Sequence, residues 1–184
     1  HGRVVDGDVL AGADESYSET RFLHDPSRWL IGLPVEQWTR NASGAVLSQG
    51  RSFYDGAPFI GLPLGSVTFG VPTRRSAWVE GDQWVDVQRI ERDAFGNVIA
   101  SLRPGGGRQE IEYDAQTHVF PVTERLWTSP GEEPLVFRAE VRVGSGEVES
   151  FTYANGATAR FSYDAHSRLV ALARPGDTLA LPTY

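Results

Sequence analysis

A short motif recurs along this chain and constrains its fold more than any other feature of the sequence. The shared core is an aromatic residue, an aspartate, two residues, a small turn residue, a polar residue and an aliphatic one. The four copies are centred on Asp55, Asp93, Asp114 and Asp164. The closest two aspartates are 21 residues apart, so each wider gap has room for one degenerate copy, the last of them expected at Glu140.

The chemistry of the motif suits a hairpin turn. An aspartate at the end of a strand can accept hydrogen bonds from backbone amides two residues on, while a following glycine takes the left-handed conformation that closes the turn. The tyrosines supply buried area, and each hairpin needs neighbours to cover its apolar face. The predicted motif residues are Tyr54, Asp55, Asp93, Gly96, Asn97, Tyr113, Asp114, Tyr163, Asp164 and Arg168.

The rest of the chain also indicates strands rather than helices. Twenty glycines and eleven prolines, spread throughout, would interrupt helices. Apolar and polar residues alternate over 84–91 and 137–143, and residues 150–168 predict a β-hairpin with a two-residue Asn155-Gly156 turn. Further turns are expected at Asn41–Gly44, Asp55-Gly56, Gly96-Asn97, Gly105–Gly107 and Gly144–Gly146.

The motif resembles the YD-repeat or RHS family, whose units run Tyr-Asp, two residues, Gly-Arg and an aliphatic residue. Residues 161–169 are the nearest copy, with Ser167 in place of the glycine, whereas 93–98 keep the glycine but follow Arg92 instead of a tyrosine. The resemblance covers most of residues 50–175. Upstream, residues 24–34, 53–56 and 61–65 look like the repeat region of the B subunits of bacterial insecticidal toxin complexes and related virulence proteins.

This resemblance implies an all-β array of antiparallel hairpins that forms a curved sheet, part of a hollow shell around a toxin or effector cargo. The implied partners are further repeats of the same or partner chains and an encapsulated toxin, in a secreted or cell-surface bacterial protein. We expect an irregular, acidic lead-in at 1–20, a degenerate repeat region at 21–80 with a Pro/Gly-rich connection at 58–72, and YD/RHS repeats at 81–184.

Composition excludes several other functions. With 24 acidic and 17 basic residues the formal charge is −7, which disfavours nucleic acid and anionic membranes as partners. No apolar run is long enough for a transmembrane helix, and there are no cysteines for disulfides or thiolate metal sites. Because the chain lacks methionine even at position 1, we expect it to begin inside a longer gene product.

The sequence shows no catalytic constellation, so the chain is predicted not to be an enzyme, and no cofactor is expected. The acidic cluster Asp6, Asp8, Asp14 and Glu15 lacks calcium-loop spacing, and the four histidines lack metal-ligand spacing, so no metal site is predicted. The triple glycine at 105–107 lacks the rest of a phosphate loop. A hydrolase with acidic residues in a groove is the weakest hypothesis.

A carbohydrate-binding or adhesion module is the main alternative, because exposed aromatic side chains on a sheet can stack on sugars. The chain has five tryptophans, of which the possible ligand-stacking residues are Trp78, Trp84 and Trp127. The simpler explanation is that these side chains fill the inner face of the sheet, where a thin wall has little other core.

Overall fold

The computed structural model describes residues 2–6 and 15–177, and this part of the chain is all-β. Two short 3₁₀ turns interrupt the strands, and within these residues no helix is long and apolar enough to cross a membrane. The strands are β1 (Gly2–Asp6), β2 (Ser16–Asp25), β3 (Leu30–Asn41), β4 (Val46–Tyr54), β5 (Pro72–Glu80), β6 (Gln83–Arg92), β7 (Val98–Leu102), β8 (Arg108–Tyr113), β9 (Pro121–Trp127), β10 (Leu135–Arg142), β11 (Glu147–Thr152), β12 (Thr158–Tyr163) and β13 (Leu169–Ala173).

The first of two compact units comprises His1–Glu91 and Ser101–Pro104. Its strands β1 to β6 pair antiparallel in the order of the sequence. Side chains on one face of a sheet are neighbours across the strands. One such row is polar and runs Arg21, Glu36, Arg51, Ser76, Asp86, with alternating charge over its first three residues.

This row is joined by ion pairs and hydrogen bonds. Glu36 binds both Arg21, at 2.6 Å, and Arg51, at 3.1 Å. The hydroxyl of Ser76 donates to Asp86 at 2.6 Å. Pairs of opposite charge across strands stabilise each strand pair modestly.

The second unit comprises Arg92–Ala100 and Gly105–Tyr184, so β7 contributes residues to both units. Strands β8 to β13 again pair antiparallel in sequence order. One face carries an apolar row in which Ala139, Phe151 and Ala159 are cross-strand neighbours, and Phe137 stacks on Phe151 with the ring centroids 6.2 Å apart.

The opposite face of the same strands is polar. Glu140, Ser150 and Arg160 are cross-strand neighbours there, and the Ser150 hydroxyl donates to Glu140 at 2.7 Å. In the described residues few apolar side chains are buried; they are Val35, Tyr54, Ile90, Ala100 and Ala159. The protein therefore has the thin sheet expected of a hairpin array, and the all-β antiparallel fold predicted from the sequence is confirmed.

The hairpin predicted at 150–168 is present, but its loop is longer than expected. Thr152 pairs with Thr158, so five residues rather than two connect β11 to β12. The amide of Tyr153 donates to the carbonyl of Ala157 at 2.8 Å, and Gly156 has a φ of 81°. The Asn-Gly pair thus supplies the third and fourth residues of a five-residue connection instead of forming a two-residue turn.

Two other expectations need correction. The irregular lead-in expected at 1–20 instead contains β1 and the first half of β2, because Gly2–Asp6 pairs with Ser16–Thr20. Glu140 lies in the middle of β10 and not at a turn, since its position in the strand alternation places it opposite Ser150. The Pro/Gly-rich connection at 58–72 is irregular up to the start of β5, as expected.

We predict that Gly56→Ala destabilises the protein more than Gly44→Ala. Both glycines have a positive φ, 72° and 84°, so both substitutions cost about 1 kcal/mol for the left-handed backbone. Only at Gly56 would the new Cβ also collide with backbone, 2.8 Å from the Leu62 nitrogen, which adds about 1–3 kcal/mol. Urea unfolding of both variants measures the difference, and equal losses would contradict the described loop.

Candidate functional site

Asp114 forms the most complete of the turns on which the fold depends. It is 6% exposed and follows β8. One carboxylate oxygen accepts the amides of Gln116 and Thr117, at 3.1 and 2.6 Å, and the other accepts those of Val119 and Phe120, both at 3.0 Å. One side chain therefore satisfies four backbone donors of a single turn.

Asp93 and Asp164 form a shorter version of this turn. Asp93 accepts the amides of Phe95 and Asn97 on one oxygen, both at 2.9 Å. Asp164 accepts the amide two residues on, at 2.8 Å, and both the amide and the guanidinium of Arg168, at 3.0 and 2.7 Å. In both turns the aspartate amide donates to the carbonyl four residues on, which closes the hairpin.

Asp55 uses the same chemistry over a longer distance. Its carboxylate accepts the amides of Thr68, Phe69, Gly70 and Val71, at 2.6 to 3.1 Å. These donors lie at the far end of the Pro/Gly-rich connection, just before β5. Asp55 therefore fixes a long loop, where the other three aspartates fix the turn that directly follows them.

Two copies of the short turn have no aspartate, so the aspartate motif does not identify them as repeats. At Asn41 and Tyr153 the backbone makes the same two hydrogen bonds as at Asp93: the first amide donates to the fourth carbonyl on, and a glycine amide donates back. Asn41 also accepts the amide of Ala45 on its side-chain oxygen, at 2.9 Å. The signal available in the sequence is the glycine three residues after the first turn residue.

The three motif tyrosines share a second contact. The hydroxyl of each donates to a backbone carbonyl of the strand that precedes it: Tyr54 to Pro34 at 2.8 Å, Tyr113 to Val98 at 3.3 Å and Tyr163 to Val148 at 3.1 Å. Tyr54 is 5% exposed, and this burial raises its pKa. The tyrosine thus joins two strands while the next residue, aspartate, closes the turn.

Neighbouring turns of the second unit also contact each other. The side-chain amide of Asn97 donates to the carbonyl of His118 at 2.7 Å, and the His118 ring stacks on Phe95 with the centroids 4.0 Å apart. A Cβ at Gly146 would lie 3.0 Å from the Phe120 ring, so only glycine fits there without displacement. These contacts join the turns after β6, β8 and β10.

The turn amides hold the aspartates in their charged form. Desolvation acts to raise the pKa of Asp114, but the amides of Phe120, Thr117 and Val119 outweigh it and hold the pKa far below its ordinary value. The same balance, with amides from Thr68 to Val71, lowers the pKa of Asp55. For Asp164 the hydrogen bond from Arg168 lowers the pKa most.

The candidate stacking tryptophans differ in what covers them. The guanidinium carbon of Arg51 lies 3.8 Å from the centroid of Trp84, so that ring face is occupied. Trp78 pairs across the strands with Trp84 and donates from its indole nitrogen to the carbonyl of Gly81 at 2.8 Å. Trp127 differs, because it lines an open cleft. All three are half-buried.

No group of side chains with the composition of a metal site occurs in the described residues. Of the acidic cluster noted in the sequence, Asp8 and Asp14 lie outside those residues, and Asp6 is placed only as the last residue of β1. The four motif aspartates instead bind backbone amides of their own loops. The arrangement can fix hairpins but brings together no nucleophile, base and orienting group.

Comparison with known proteins gives a likeness of fold. No family model and no curated protein matches the sequence. Solved structures do: TcdB2-TccC3-Cdc42 at a TM-score of 0.54 and 15% identity, covering 86% of this chain, and TcdB2-TccC3 at 0.52 and 16%, covering 91%. TcdB2-TccC3 without its hypervariable C-terminal region matches at 0.50 and 16%, over 97%. This chain spans only 8 to 10% of the length of those chains.

We predict that Asp114→Asn flattens the acid dependence of stability. The folded-state pKa of Asp114 lies below the unfolded value of about 3.9, so its stabilisation is fully present above the unfolded pKa and is lost progressively as the pH falls from there towards the folded-state pKa. The urea unfolding midpoint should therefore fall less in the variant than in the wild type as the pH is lowered from neutral to about pH 3. At neutral pH the midpoint of the variant should already be lower than that of the wild type.

Asp82→Asn is the matched control, because Asp82 is exposed in the β5–β6 turn. It is expected to keep the wild-type profile. A wild-type acid profile in Asp114→Asn would show that the turn amides do not hold this carboxylate.

We further predict that Tyr54→Phe costs about 1 kcal/mol of unfolding free energy, since it removes the hydrogen bond from the buried tyrosine to the part-buried Pro34 carbonyl. Tyr153→Phe is the control, because Tyr153 is 42% exposed and its hydroxyl can bind water. Thermal or urea unfolding compares the two, and equal effects would refute a role for the Tyr54 hydroxyl.

Proposed function

We propose that this chain is a non-catalytic structural segment of an RHS/YD-repeat shell that encapsulates or presents a toxin or effector cargo in a bacterial toxin-complex-like protein. In this role the segment is a strip of wall. Its partners are further repeat segments of the same or partner chains, and the assembly acts outside the cell that makes it.

The observation that carries the proposal is the repeated aspartate turn. Four aspartates with different loop lengths all bind backbone amides, and three tyrosines that precede them bind a neighbouring strand. Such a unit contributes one hairpin and depends on its neighbours for burial, which is the stability pattern of repeat arrays. These contacts support a structural role for the four aspartates, which would otherwise be candidates for acid–base catalysis.

A catalytic use of these carboxylates conflicts with their surroundings. A general acid needs a pKa near the working pH, whereas amide donors lower the pKa of Asp55 and Asp114. The oxygens of Asp114 already accept bonds from four amides and from the Thr117 hydroxyl. These groups are therefore engaged within the turn.

The two faces of the second unit suit a wall. Its strands have an apolar face, which includes Phe137 and Phe151, and a charged face, which includes Arg138 and Arg160. A wall needs two different faces because one meets the enclosed volume and the other the outside. The fold likeness to TcdB2-TccC3 complexes supports the same placement in a larger assembly.

A pair of single cysteines tests this proposal, since the chain has none of its own. Leu135→Cys and Arg138→Cys place thiols on opposite faces of β10, both at exposed positions. In the full native polypeptide, freed of other cysteines, a polyethylene-glycol maleimide of protein size should modify only one of the two. Both should react after unfolding in urea.

Equal and rapid modification of both thiols in the native assembly would contradict a wall that separates an inside from an outside. Protection of both would also contradict it, because that would place the strip inside a core. Negative-stain images of the same sample should show a hollow particle.

A further inference from the structure

A cleft opens in the second unit, beside the first residues of β8 and the last residue of β9. Its volume is about 440 Å³, within the range of roughly 300–1,000 Å³ usual for small-ligand sites. The lining residues are Gly106, Arg108, Glu110, Trp127, Ser129, Pro130 and Gly131. None of the aspartate turns contributes to it, so the hairpin architecture does not account for it.

The floor of the cleft combines one aromatic ring with one ion pair. Arg108 and Trp127 are direct cross-strand partners, and Arg108 also forms an ion pair with Glu110. The guanidinium carbon of Arg108 lies 5.6 Å from the Trp127 centroid, well beyond the 3.8 Å at which Arg51 covers Trp84. Arg108 therefore does not sit directly on the Trp127 ring as Arg51 sits on that of Trp84.

The walls are set by a close contact between two turns. A Cβ on Gly106 would lie 2.8 Å from the Pro130 Cγ, so a residue larger than glycine at position 106 would collide with the Pro130 ring. The hydroxyl of Thr128 donates to Glu132 at 2.9 Å, which braces the loop that carries Pro130. The cleft is thus a built feature of two neighbouring loops.

We infer that this cleft binds a neutral carbohydrate, one or two pyranose rings of a glycan. A half-buried tryptophan face offers contact to the C–H face of a sugar ring. Arg108 and Glu110 offer charged donors and acceptors to its hydroxyls, and such charge-assisted bonds are the stronger ones. Because the two charges neutralise each other, the cleft suits an uncharged ligand better than an anion or a cation.

The test is saturation-transfer NMR and calorimetry of the native polypeptide with a panel of neutral disaccharides: maltose, cellobiose, lactose and N,N′-diacetylchitobiose. At least one should bind with millimolar affinity. Trp127→Ala should weaken that binding at least roughly tenfold, as loss of a central aromatic contact does. Trp84→Ala is the control and should keep it, because Arg51 covers Trp84.

A second pair of variants tests the cleft without touching the tryptophan. Gly106→Ala should displace Pro130 and weaken binding, while Gly105→Ala should not, although both glycines have a positive φ and only Gly106 faces a neighbour within 4 Å. Absence of binding across the whole panel, or equal affinities in Trp127→Ala and Trp84→Ala, would overturn the inference. Either result would leave the proposed wall function intact, because maleimide labelling tests that function independently.

Discussion

The structure depends on one interaction, the acceptance of turn amides by an aspartate carboxylate. A hairpin turn leaves backbone donors that the strands cannot satisfy, and a hydrogen bond to a charged acceptor contributes on the order of 1.5–3 kcal/mol. Asp114 satisfies four such donors, and Asp55 satisfies four at the end of a long loop. Because the charge is shared among several amides, the aspartate can stay ionised while half-buried or buried. The turn then holds its geometry with little help from a core.

That local solution explains why the sheet can be thin. Few apolar side chains are fully buried in the described residues. Hydrophobic burial therefore stabilises each unit less than it stabilises a compact domain. Cross-strand contacts supply part of the remaining stability, as in the charged row around Glu36 and the aromatic row around Phe151. Tyrosine hydroxyls join adjacent strands. A strip built in this way can be lengthened by further hairpins, which suits a wall better than a self-contained catalytic domain.

Much of this could be predicted from the sequence, because the controlling interactions are local. The Tyr-Asp pairs and glycines indicate hairpins directly, and alternation locates strands such as β10. Glu140 was misassigned because a carboxylate at the expected interval carries no information on whether the chain turns there. The sequence predicts turns near Asn41 and Tyr153, but it does not identify them as copies of the repeat, because they share its backbone hydrogen bonds and lack the aspartate. The cleft at Trp127 depends on packing between two loops, Gly106 against Pro130, which no single segment of the sequence encodes.

Hydrogen exchange at the turn amides tests the central claim most directly. If the Asp114 carboxylate holds its turn, the amides of Thr117, Val119 and Phe120 should exchange as slowly as paired strand amides, although the loop residues 115–117 are exposed. In Asp114→Asn these amides should exchange much faster while the amides of β8 keep their protection. Fast exchange of the turn amides in the wild-type protein, or an unchanged pattern in the variant, would contradict the account.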